Sequence, residues 1–413
     1  MDVLMVGAGE YTAGYVPTAE GAASDKPAGV IAITLFDLRR FGKVRRLVLC
    51  DASGKRLPAI RENIRRKIGE VYKDLDTTLE THPPDGAPFD RHAYKGAIAK
   101  MKRGDMATIF TPDDTHFEIA LECIRHGLHV LLAKPAVQTL AHHLQLTQAA
   151  REAGVLVAVE YHKRFDPIYA DARARIPALG PFSFFSSTMT QPKKQLDTFA
   201  GWAGKSSDIS YYLNSHHIDL HSWAVGEASR PVRVTASASD GVASARLGRS
   251  VEDTITLLVQ WENTDGTHGT AVYMASWIAP PADCHTQQGF HYMGHKGELR
   301  VDQAHRGYTT ATDAAGFATL NPLYMKYTPS PSGHFAGQLG YGYRSIAEFL
   351  ERAAAINAGT RSVADCAAEG VLATLDGTAR VTAVLEAGRR SLDQGGQPVT
   401  IVYDQRGWPI RLE

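Results

Sequence analysis

Short apolar runs alternate with amphipathic stretches along the first 160 residues. Five runs have the length and β-branched content of buried strands: residues 3–6, 43–51, 105–110, 129–134 and 155–161. Five stretches between them carry apolar residues at helical spacing: 30–40, 57–75, 93–101, 116–127 and 139–154. Ile60, Ile64, Ile68 and Val71 form the apolar side of one such stretch. This alternation predicts a parallel, doubly wound α/β sheet.

The pattern changes after residue 160. Longer stretches there predict strands of a largely antiparallel sheet: residues 181–191, 231–239, 253–263, 268–277 and 297–303. Three stretches have helical character: 208–226, 343–359 and 367–390. We therefore expect an α+β second unit and two domains, residues 1–160 and 161–413. A chain of 413 residues is long enough for both.

Composition excludes some functions and leaves most open. Lys+Arg and Asp+Glu both number 44, which gives no general case for binding nucleic acid or an acidic membrane surface. The four cysteines are scattered without a C-x-x-C pair, as expected for reduced thiols. The start does not have the pattern of a secretory signal, and no apolar run reaches the ~18 residues of a membrane span. We expect a cytoplasmic protein that does not bind a membrane.

A glycine-rich turn follows the first predicted strand. Gly7 would make the tight turn, and Gly9 would let the backbone approach a pyrophosphate. The G-x-G-x-x-G pattern is imperfect, because Thr12 occupies the third glycine position. Asp51, at the end of the second strand, suits ribose hydroxyls and favours NAD. A glycine turn without a ligand remains an alternative, and Ser53, Lys55 and Arg56 leave NADP open.

The segment between these two features, residues 10–29, is rich in Gly, Ala, Ser and Pro and is predicted to be a loop. Its length would account for the unusual separation of Asp51 from the glycine turn. Lys134 ends another apolar run and is followed by Pro135. Ligands of doubly wound sheets lie outside the carboxyl ends of the strands, so Lys134 is predicted to point into that crevice.

Five ordered segments resemble the Gfo/Idh/MocA oxidoreductases, a family that includes glucose-fructose oxidoreductase and inositol dehydrogenase. They are "TPDDTH" (111–116), "AKP" (133–135), "HKRFDP" (162–167), "NSHHIDL" (214–220) and "GHKGEL" (294–299). The late helix "YRSIAEFLERAAAINAG" is also similar. The resemblance implies a Rossmann domain joined to a domain with an open-faced sheet, with cofactor and carbohydrate substrate between them. It also implies a homo-oligomer, a dimer or tetramer.

Site residues follow from the resemblance. It implies catalytic roles for Lys134 and His216, and Tyr212 lies one turn before His216. The implied cofactor contacts are Gly7, Gly9, Glu10, Tyr11, Thr12, Asp51, Thr111, Pro112, His116, Lys134 and Arg164. The predicted substrate contacts are Lys134, His162, Lys193, Tyr212, His216, His217, Trp277 and His285; solvated surface remains an alternative for Lys193, as does core packing for Trp277. The cofactor is expected to be NAD, with NADP not excluded.

Two positions depart from the family pattern. Ala133 stands where the family has a glutamate before the lysine, so another group must tune Lys134 if that carboxylate does so. Tyr212 stands where members often carry an aspartate, and Asp208 one turn earlier could compensate. His217 and His221 have zinc-compatible spacing but no evident further ligands, so no metal is expected. Asp219 is expected to support the helix and could orient His216.

Three functions remain open from the sequence. The first is a dehydrogenase that passes hydride between a sugar or polyol hydroxyl and the nicotinamide, with Lys134, His216 or Tyr212 taking the proton. The second is an NAD-dependent glycosidase, which oxidises its substrate transiently and reduces it again; Tyr212 and His217 could supply the additional base. The third, a non-catalytic sugar or nucleotide sensor, is disfavoured by the acid/base groups.

Overall fold

A computed structural model describes residues 1–16, 26–314 and 316–413. The first sheet contains six parallel strands: β1 (Val3–Val6), β2 (Leu47–Cys50), β3 (Glu80–His82), β4 (Met106–Ile109), β5 (His129–Leu132) and β6 (Val157–Val159). Their spatial order is β3-β2-β1-β4-β5-β6. This is the doubly wound Rossmann order, so the predicted fold of the first unit is confirmed.

Helices cover this sheet: α1 (Glu10–Ala13), α2 (Ile31–Arg40), α3 (Leu57–Ile64), α4 (Ala93–Ile98), α5 (His116–Arg125) and α6 (Leu140–Ala153). The Thr139 side chain caps α6 by accepting a hydrogen bond from the His142 N–H. The helix predicted for residues 57–75 ends early, because α3 passes into a π-helical turn at Arg65–Gly69. Val71 lies beyond that turn and is 42% exposed, so its predicted apolar role is wrong.

The glycine-rich segment contains more structure than predicted at its start. Residues 10–13 form α1, whereas the sequence predicted a loop from residue 10. Gly14 ends this short helix in a left-handed conformation, at φ +63°. The part of the predicted loop at residues 17–25 lies outside the described residues.

The second sheet has eight strands in the order β12-β11-β7-β10-β9-β8-β16-β17. Their bounds are β7 (Phe182–Pro192), β8 (Ser229–Asp240), β9 (Glu252–Asn263), β10 (His268–Ala279), β11 (Gln287–Gly294), β12 (Gly297–Asp302), β16 (Val399–Tyr403) and β17 (Pro409–Leu412). All neighbours are antiparallel except β7 and β10. The largely antiparallel sheet is thereby confirmed, with β11, β16 and β17 as strands that the sequence pattern missed. A separate hairpin contains β13 (Thr309–Thr312) and β14 (Gly316–Thr319).

The remaining helices are α7 (Pro167–Arg175), α8 (Gln195–Phe199), α9 (Ser215–Val225), α10 (Val242–Leu247), α11 (Tyr341–Asn357), α12 (Val363–Glu369) and α13 (Leu375–Asp393). A π-helical turn at Ser210–Asn214 leads into α9. The single helix predicted for residues 367–390 is wrong at its start. Between α12 and α13, Ala373–Thr374 forms β15, which pairs antiparallel with β6 at the edge of the first sheet.

One continuous apolar core joins the two units. It contains side chains of the first sheet, such as Leu132, and side chains of the second, such as Trp261. Because β15 comes from the late part of the chain, the division at residue 160 stays a prediction. Among the described residues, no helix is long and apolar enough to cross a membrane.

Candidate active site

The glycine turn lies at the carboxyl end of β1. Gly7 has φ +94°, and a Cβ atom there would lie 2.1 Å from the Phe110 carbonyl oxygen. A Cβ atom on Gly9 would meet no atom of the described residues within 4 Å, so these residues leave the space over Gly9 open. The Oε1 atom of Glu10, beside it, is buried without a hydrogen-bond partner among the described residues. An open cradle next to an unsatisfied polar atom fits a polar ligand.

Replacing Gly7 by alanine is expected to destabilise the protein by about 2–4 kcal/mol, through the positive φ and the overlap with Phe110. Replacing Gly9 by alanine provides the matched comparison, because the new methyl group enters open space. We expect Gly9→Ala to keep its stability and to weaken dinucleotide binding. Urea unfolding and a dinucleotide titration measure the two effects; equal stability of the two variants would contradict the prediction.

Asp51 lies just beyond β2 and is already engaged. Its Oδ1 atom accepts hydrogen bonds from the Ser53 N–H at 2.8 Å and from Arg56 Nη2 at 2.7 Å. The carboxylate is buried, whereas the Arg56 side chain is 41% exposed. An acidic and a basic group therefore meet where a ribose hydroxyl or a 2′-phosphate would be distinguished.

Hydrogen bonds of His116 connect the loop after β4 to the loop that contains Lys134 and Pro135. Its Nδ1 atom lies 3.0 Å from the Pro135 carbonyl oxygen, and its Nε2 atom lies 3.0 Å from the Thr111 carbonyl oxygen. The ring is 0% exposed, so His116 positions Thr111 and Pro112 but presents no free nitrogen to a cofactor. The predicted cofactor contact of His116 is therefore replaced by a structural role. Thr12 is similarly buried, at 1% exposure.

Lys134 lies at the carboxyl end of β5, as predicted, and contacts Tyr212 of the second unit. Its Nζ atom donates a hydrogen bond to the Tyr212 carbonyl oxygen. The same atom lies 3.7 Å from the centroid of the Tyr212 ring, a cation–π distance. The Tyr212 hydroxyl points elsewhere, 3.5 Å from Gln191 Nε2. The tyrosine that replaces the family's aspartate thus supplies a ring face and a carbonyl to the lysine.

Burial lowers the pKa of Lys134 to about 7, and the charge of Asp113 opposes this shift. Lys163 adds a second positive charge that lowers the pKa further. Asp208, which the sequence offered as a substitute carboxylate, instead pairs with Arg389 at 3.4 Å. Burial raises the pKa of Asp208 to about 6.

The lowered pKa of Lys134 leads us to expect that the free energy of unfolding depends on pH. Between pH 7 and pH 10.5 the folded amine is neutral while the unfolded amine is protonated, so the unfolded state binds more protons. The contribution of Lys134 to stability must therefore rise with pH across that window. Wild type should gain unfolding free energy relative to Lys134→Met as pH rises, measured by urea unfolding. Lys102→Met, at an exposed site, should show no such trend; a constant difference for Lys134→Met would contradict the assignment.

A carboxylate that the sequence reading missed lies in the same crevice. Glu160 directly follows β6 and is 3% exposed. Its Oε2 atom lies 2.9 Å from His162 Nδ1, and its Oε1 atom accepts a 2.6 Å hydrogen bond from the Ser345 hydroxyl. The Tyr11 hydroxyl lies 3.3 Å from the same His162 nitrogen. A strand end carrying a charged residue, the signal used for Lys134, was also present at Glu160.

His216 lies beside His162, with 5.3 Å between the ring centroids. It is 5% exposed, and its Nδ1 atom is buried without a hydrogen-bond partner among the described residues. Burial and then the charge of Lys134 hold the pKa of His216 well below its usual value. Burial also lowers the pKa of His162, and the charge of Glu160 opposes this. Both rings are therefore neutral near pH 7, and they differ in their partners.

Arg164 forms a buried ion pair with Asp219. Its Nη2 and Nε atoms donate hydrogen bonds to the Asp219 carboxylate at 2.6 and 2.9 Å, and the two side chains are 4% and 2% exposed. Its Nη1 atom donates to the Leu372 carbonyl oxygen at 3.2 Å. The predicted cofactor contact of Arg164 therefore gives way to a buried ion pair, and Asp219 supports this pair instead of orienting His216.

The residues predicted to contact substrate from the second unit differ in their exposure. Trp277 is 0% exposed and its indole N–H donates to the Glu252 carbonyl oxygen at 2.7 Å, so it cannot stack on a sugar. His217 is 1% exposed and its Nε2 atom lies 2.9 Å from the Tyr169 hydroxyl. Lys193 is exposed to solvent, and His285 is half-buried in the segment between β10 and β11. Trp277 and His217 are thus enclosed, whereas the substrate contacts of Lys193 and His285 stay predictions.

Histidines near the crevice are not arranged as metal ligands. His221 Nδ1 lies 2.6 Å from the Tyr273 hydroxyl, so the two histidines with zinc-compatible spacing bind different tyrosines. Elsewhere, Asp283, Cys284 and His305 bring possible ligand atoms within 4.8 Å of one another. Hydrogen bonds from His305 to Asp283 and Asp302 account for that grouping.

Comparison with known proteins agrees with this architecture. Residues 1–161 match the model of the Gfo/Idh/MocA oxidoreductase family, described as having an NAD-binding Rossmann fold. The resemblance predicted from the sequence is thereby confirmed for residues 1–161.

Curated relatives match over limited segments. An uncharacterized oxidoreductase of Escherichia coli is 30% identical over 118 residues, which are 28% of this chain and 34% of that protein. The NAD(+)-dependent scyllo-inositol 2-dehydrogenase of Bacillus subtilis is 34% identical over 74 residues, 18% of this chain and 22% of that protein. The matched segments thus span about a third or less of these relatives.

The fold extends over nearly the whole chain. The crystal structure of a putative myo-inositol dehydrogenase from Sinorhizobium meliloti superposes with a TM-score of 0.64 at 19% identity. The match covers 97% of this chain and 99% of that one. This likeness shows that the two-unit fold is shared.

Proposed function

We propose that this protein oxidises a secondary hydroxyl of a sugar or polyol, with an inositol as the first candidate, and transfers the hydride to NAD. The observation that carries the proposal is Lys134, a buried amine with a pKa near 7 at the carboxyl edge of a Rossmann sheet. Burial and the charge of this lysine both lower the pKa of His162, which follows β6, and of His216 in α9. Amines and histidines of lowered pKa suit proton transfer near neutral pH.

The described residues fit a nicotinamide dinucleotide. The open space over Gly9 and the unsatisfied Glu10 oxygen suit its phosphates and ribose, and Asp51 suits the adenosine ribose. Tyr11 stacks on Phe110 with 4.9 Å between ring centroids and gives the crevice an apolar wall. When bound, the nicotinamide accepts the hydride. The protein's tasks are to orient the hydroxyl, exclude water and move the proton.

The proposal is tested with purified protein, NAD or NADP, and a panel of inositols, aldoses and polyols. Formation of reduced nicotinamide with a free polyol supports it, and the best substrate identifies the class. Dinucleotide binding is measured separately by titration. A protein that binds NAD and oxidises none of the panel would contradict the proposed activity.

The relatives reported above favour net oxidation over redox-neutral hydrolysis, because they are named as oxidoreductases. Aryl glycosides in the same panel separate the alternatives. Release of aglycone without accumulation of reduced nicotinamide would identify the glycosidase. The expected homo-oligomer and the expected cytoplasmic location stay predictions.

Cofactor choice should depend on the Asp51–Arg56 pair. Removing the carboxylate in Asp51→Ala frees the Arg56 guanidinium, which lies 2.7 Å from it, to meet a 2′-phosphate. We expect the preference for NAD over NADP to fall about ten- to hundredfold, the size of a charged hydrogen bond. The ratio of kcat/KM for the two cofactors measures this. Arg56→Ala should move the ratio in the opposite direction, and an unchanged ratio in both variants would contradict the role.

A further inference from the structure

We propose that Glu160 and His162 form the proton-transfer pair of this active site, with His162 as the base and Glu160 as its positioning residue. The inference rests on the proposed function and reassigns the role that family resemblance gives to His216. Its basis is that only one of the two neighbouring histidines is held by a carboxylate.

The carboxylate reaches His162 from a defined position. The Glu160 N–H donates to the Leu132 carbonyl oxygen at 2.7 Å, which places Glu160 beside Ala133 on the neighbouring strand end. Ala133 is the position at which the family has a glutamate. An acidic side chain is therefore present in the crevice, but it follows β6, whereas in the family pattern it follows β5. Glu160 is 3% exposed, so its negative charge must be satisfied by partners inside the protein.

Those partners fix the orientation of the pair. The Ser345 hydroxyl of α11 donates to Glu160 Oε1 at 2.6 Å, which leaves Oε2 to His162 Nδ1 at 2.9 Å. Tyr341, also of α11, stacks on the His162 ring with 5.6 Å between centroids and an angle of 15° between planes. A carboxylate at Nδ1 favours the proton on that nitrogen, so Nε2 is the basic atom.

His216 lacks this arrangement. Its Nδ1 atom is buried without a hydrogen-bond partner among the described residues, so no carboxylate fixes its tautomer. The position one turn earlier, where relatives often carry an aspartate, is Tyr212, whose ring and carbonyl serve Lys134. His216 is therefore left to line the crevice next to the His162 ring.

The proposed step balances without a further reactant. The O–H bond of the substrate breaks and its proton forms an N–H bond at His162 Nε2. The carbon becomes a carbonyl as its hydride, with both electrons, is taken by the oxidised nicotinamide proposed above as co-substrate. The Glu160 carboxylate, 2.9 Å from Nδ1, stabilises the imidazolium that forms. Lys134, whose charge acts on the His162 ring, would stabilise the developing alkoxide.

Kinetics of matched variants test the assignment. We expect His162→Asn to lower kcat by roughly 10²–10⁴-fold, the usual contribution of a general base. Glu160→Gln should lower kcat by about 10–100-fold with KM little changed, as for a group that acts through another residue. His216→Asn should lose less than about tenfold. His268→Asn, at an exposed site, is the control for substitution itself. A large loss in His216→Asn with near-normal turnover in His162→Asn would overturn the proposal.

A readout independent of turnover separates this inference from the proposed function. Nitrogen chemical shifts of labelled histidines should show that His162 carries its proton on Nδ1 and none on Nε2. The signals that disappear in His162→Asn identify those of His162. Glu160→Gln should change this tautomer population. The opposite tautomer in the wild type would refute the pair. A protein with the expected tautomer that binds NAD but oxidises no polyol would overturn the proposed function, and the role of base with it.

Discussion

Replacing Lys134 by alanine is expected to lower kcat for polyol oxidation by roughly 10³-fold, a combined loss of charge stabilisation and hydroxyl positioning. The amine is buried at the end of β5, donates a hydrogen bond to the Tyr212 carbonyl oxygen and lies over the Tyr212 ring. A methyl group leaves the developing alkoxide without that donor. Lys134 interacts with the charge of Asp113, but its hydrogen bond goes to a backbone carbonyl oxygen, so folding should survive the change.

Three measurements check this result. Steady-state kinetics gives kcat, a dinucleotide titration shows that cofactor affinity is little changed, and urea unfolding shows that the fold is intact. Lys102→Ala, at an exposed position, is the matched control and should behave as wild type. Near-normal turnover in Lys134→Ala would contradict the assignment of the active site.

Replacing Arg164 by alanine is expected to destabilise the protein by about 3–5 kcal/mol, because the substitution leaves the buried Asp219 carboxylate without its partner. Burial raises the pKa of Asp219, and Arg164 is the group that opposes this shift. In the variant the carboxylate should bind a proton more readily. The folded state would then bind more protons than the unfolded state, so the loss of stability should shrink as pH falls.

Urea unfolding at several pH values measures both the loss and its trend. The double variant Arg164→Met/Asp219→Leu is the control, because removing both charges leaves no stranded group and should restore most of the stability. Equal destabilisation in the single and double variants would show that packing, and not the unpaired charge, is responsible. The pair and the Leu372 carbonyl oxygen connect three segments of the second unit that are far apart in sequence.

Some features of the site can be predicted from the sequence, and others depend on contacts that form only in the folded protein. The glycine turn and Lys134 could be placed from the sequence, because each follows a short apolar strand and the carboxyl ends of parallel strands share one edge. Glu160 follows a strand in the same way, yet its role depends on Ser345 and His162, which only folding brings to it. Resemblance selected His216, and the hydrogen bonds of the crevice favour its neighbour.

Burial could not be foreseen from residue type. Trp277 and Arg164 belong to classes that often contact ligands, and both are enclosed by the packing of the second unit. Similarly, the pattern of residues 367–390 is helical throughout, but pairing of residues 373 and 374 with β6 interrupts it. Backbone hydrogen bonds to a sheet edge outweigh a local helical preference, which is a weak one.

The sequence by itself determined the alternation of strands and helices in the first unit, the change to a largely antiparallel sheet in the second, the glycine turn and the lysine at the sheet edge. These features depend on the period and length of apolar runs, which are local properties of the chain. Tertiary structure alone decided which histidine meets a carboxylate, which charges are buried in pairs and where a strand interrupts a helix. Those outcomes depend on contacts between residues far apart in sequence, such as the 185 positions that separate Glu160 from Ser345.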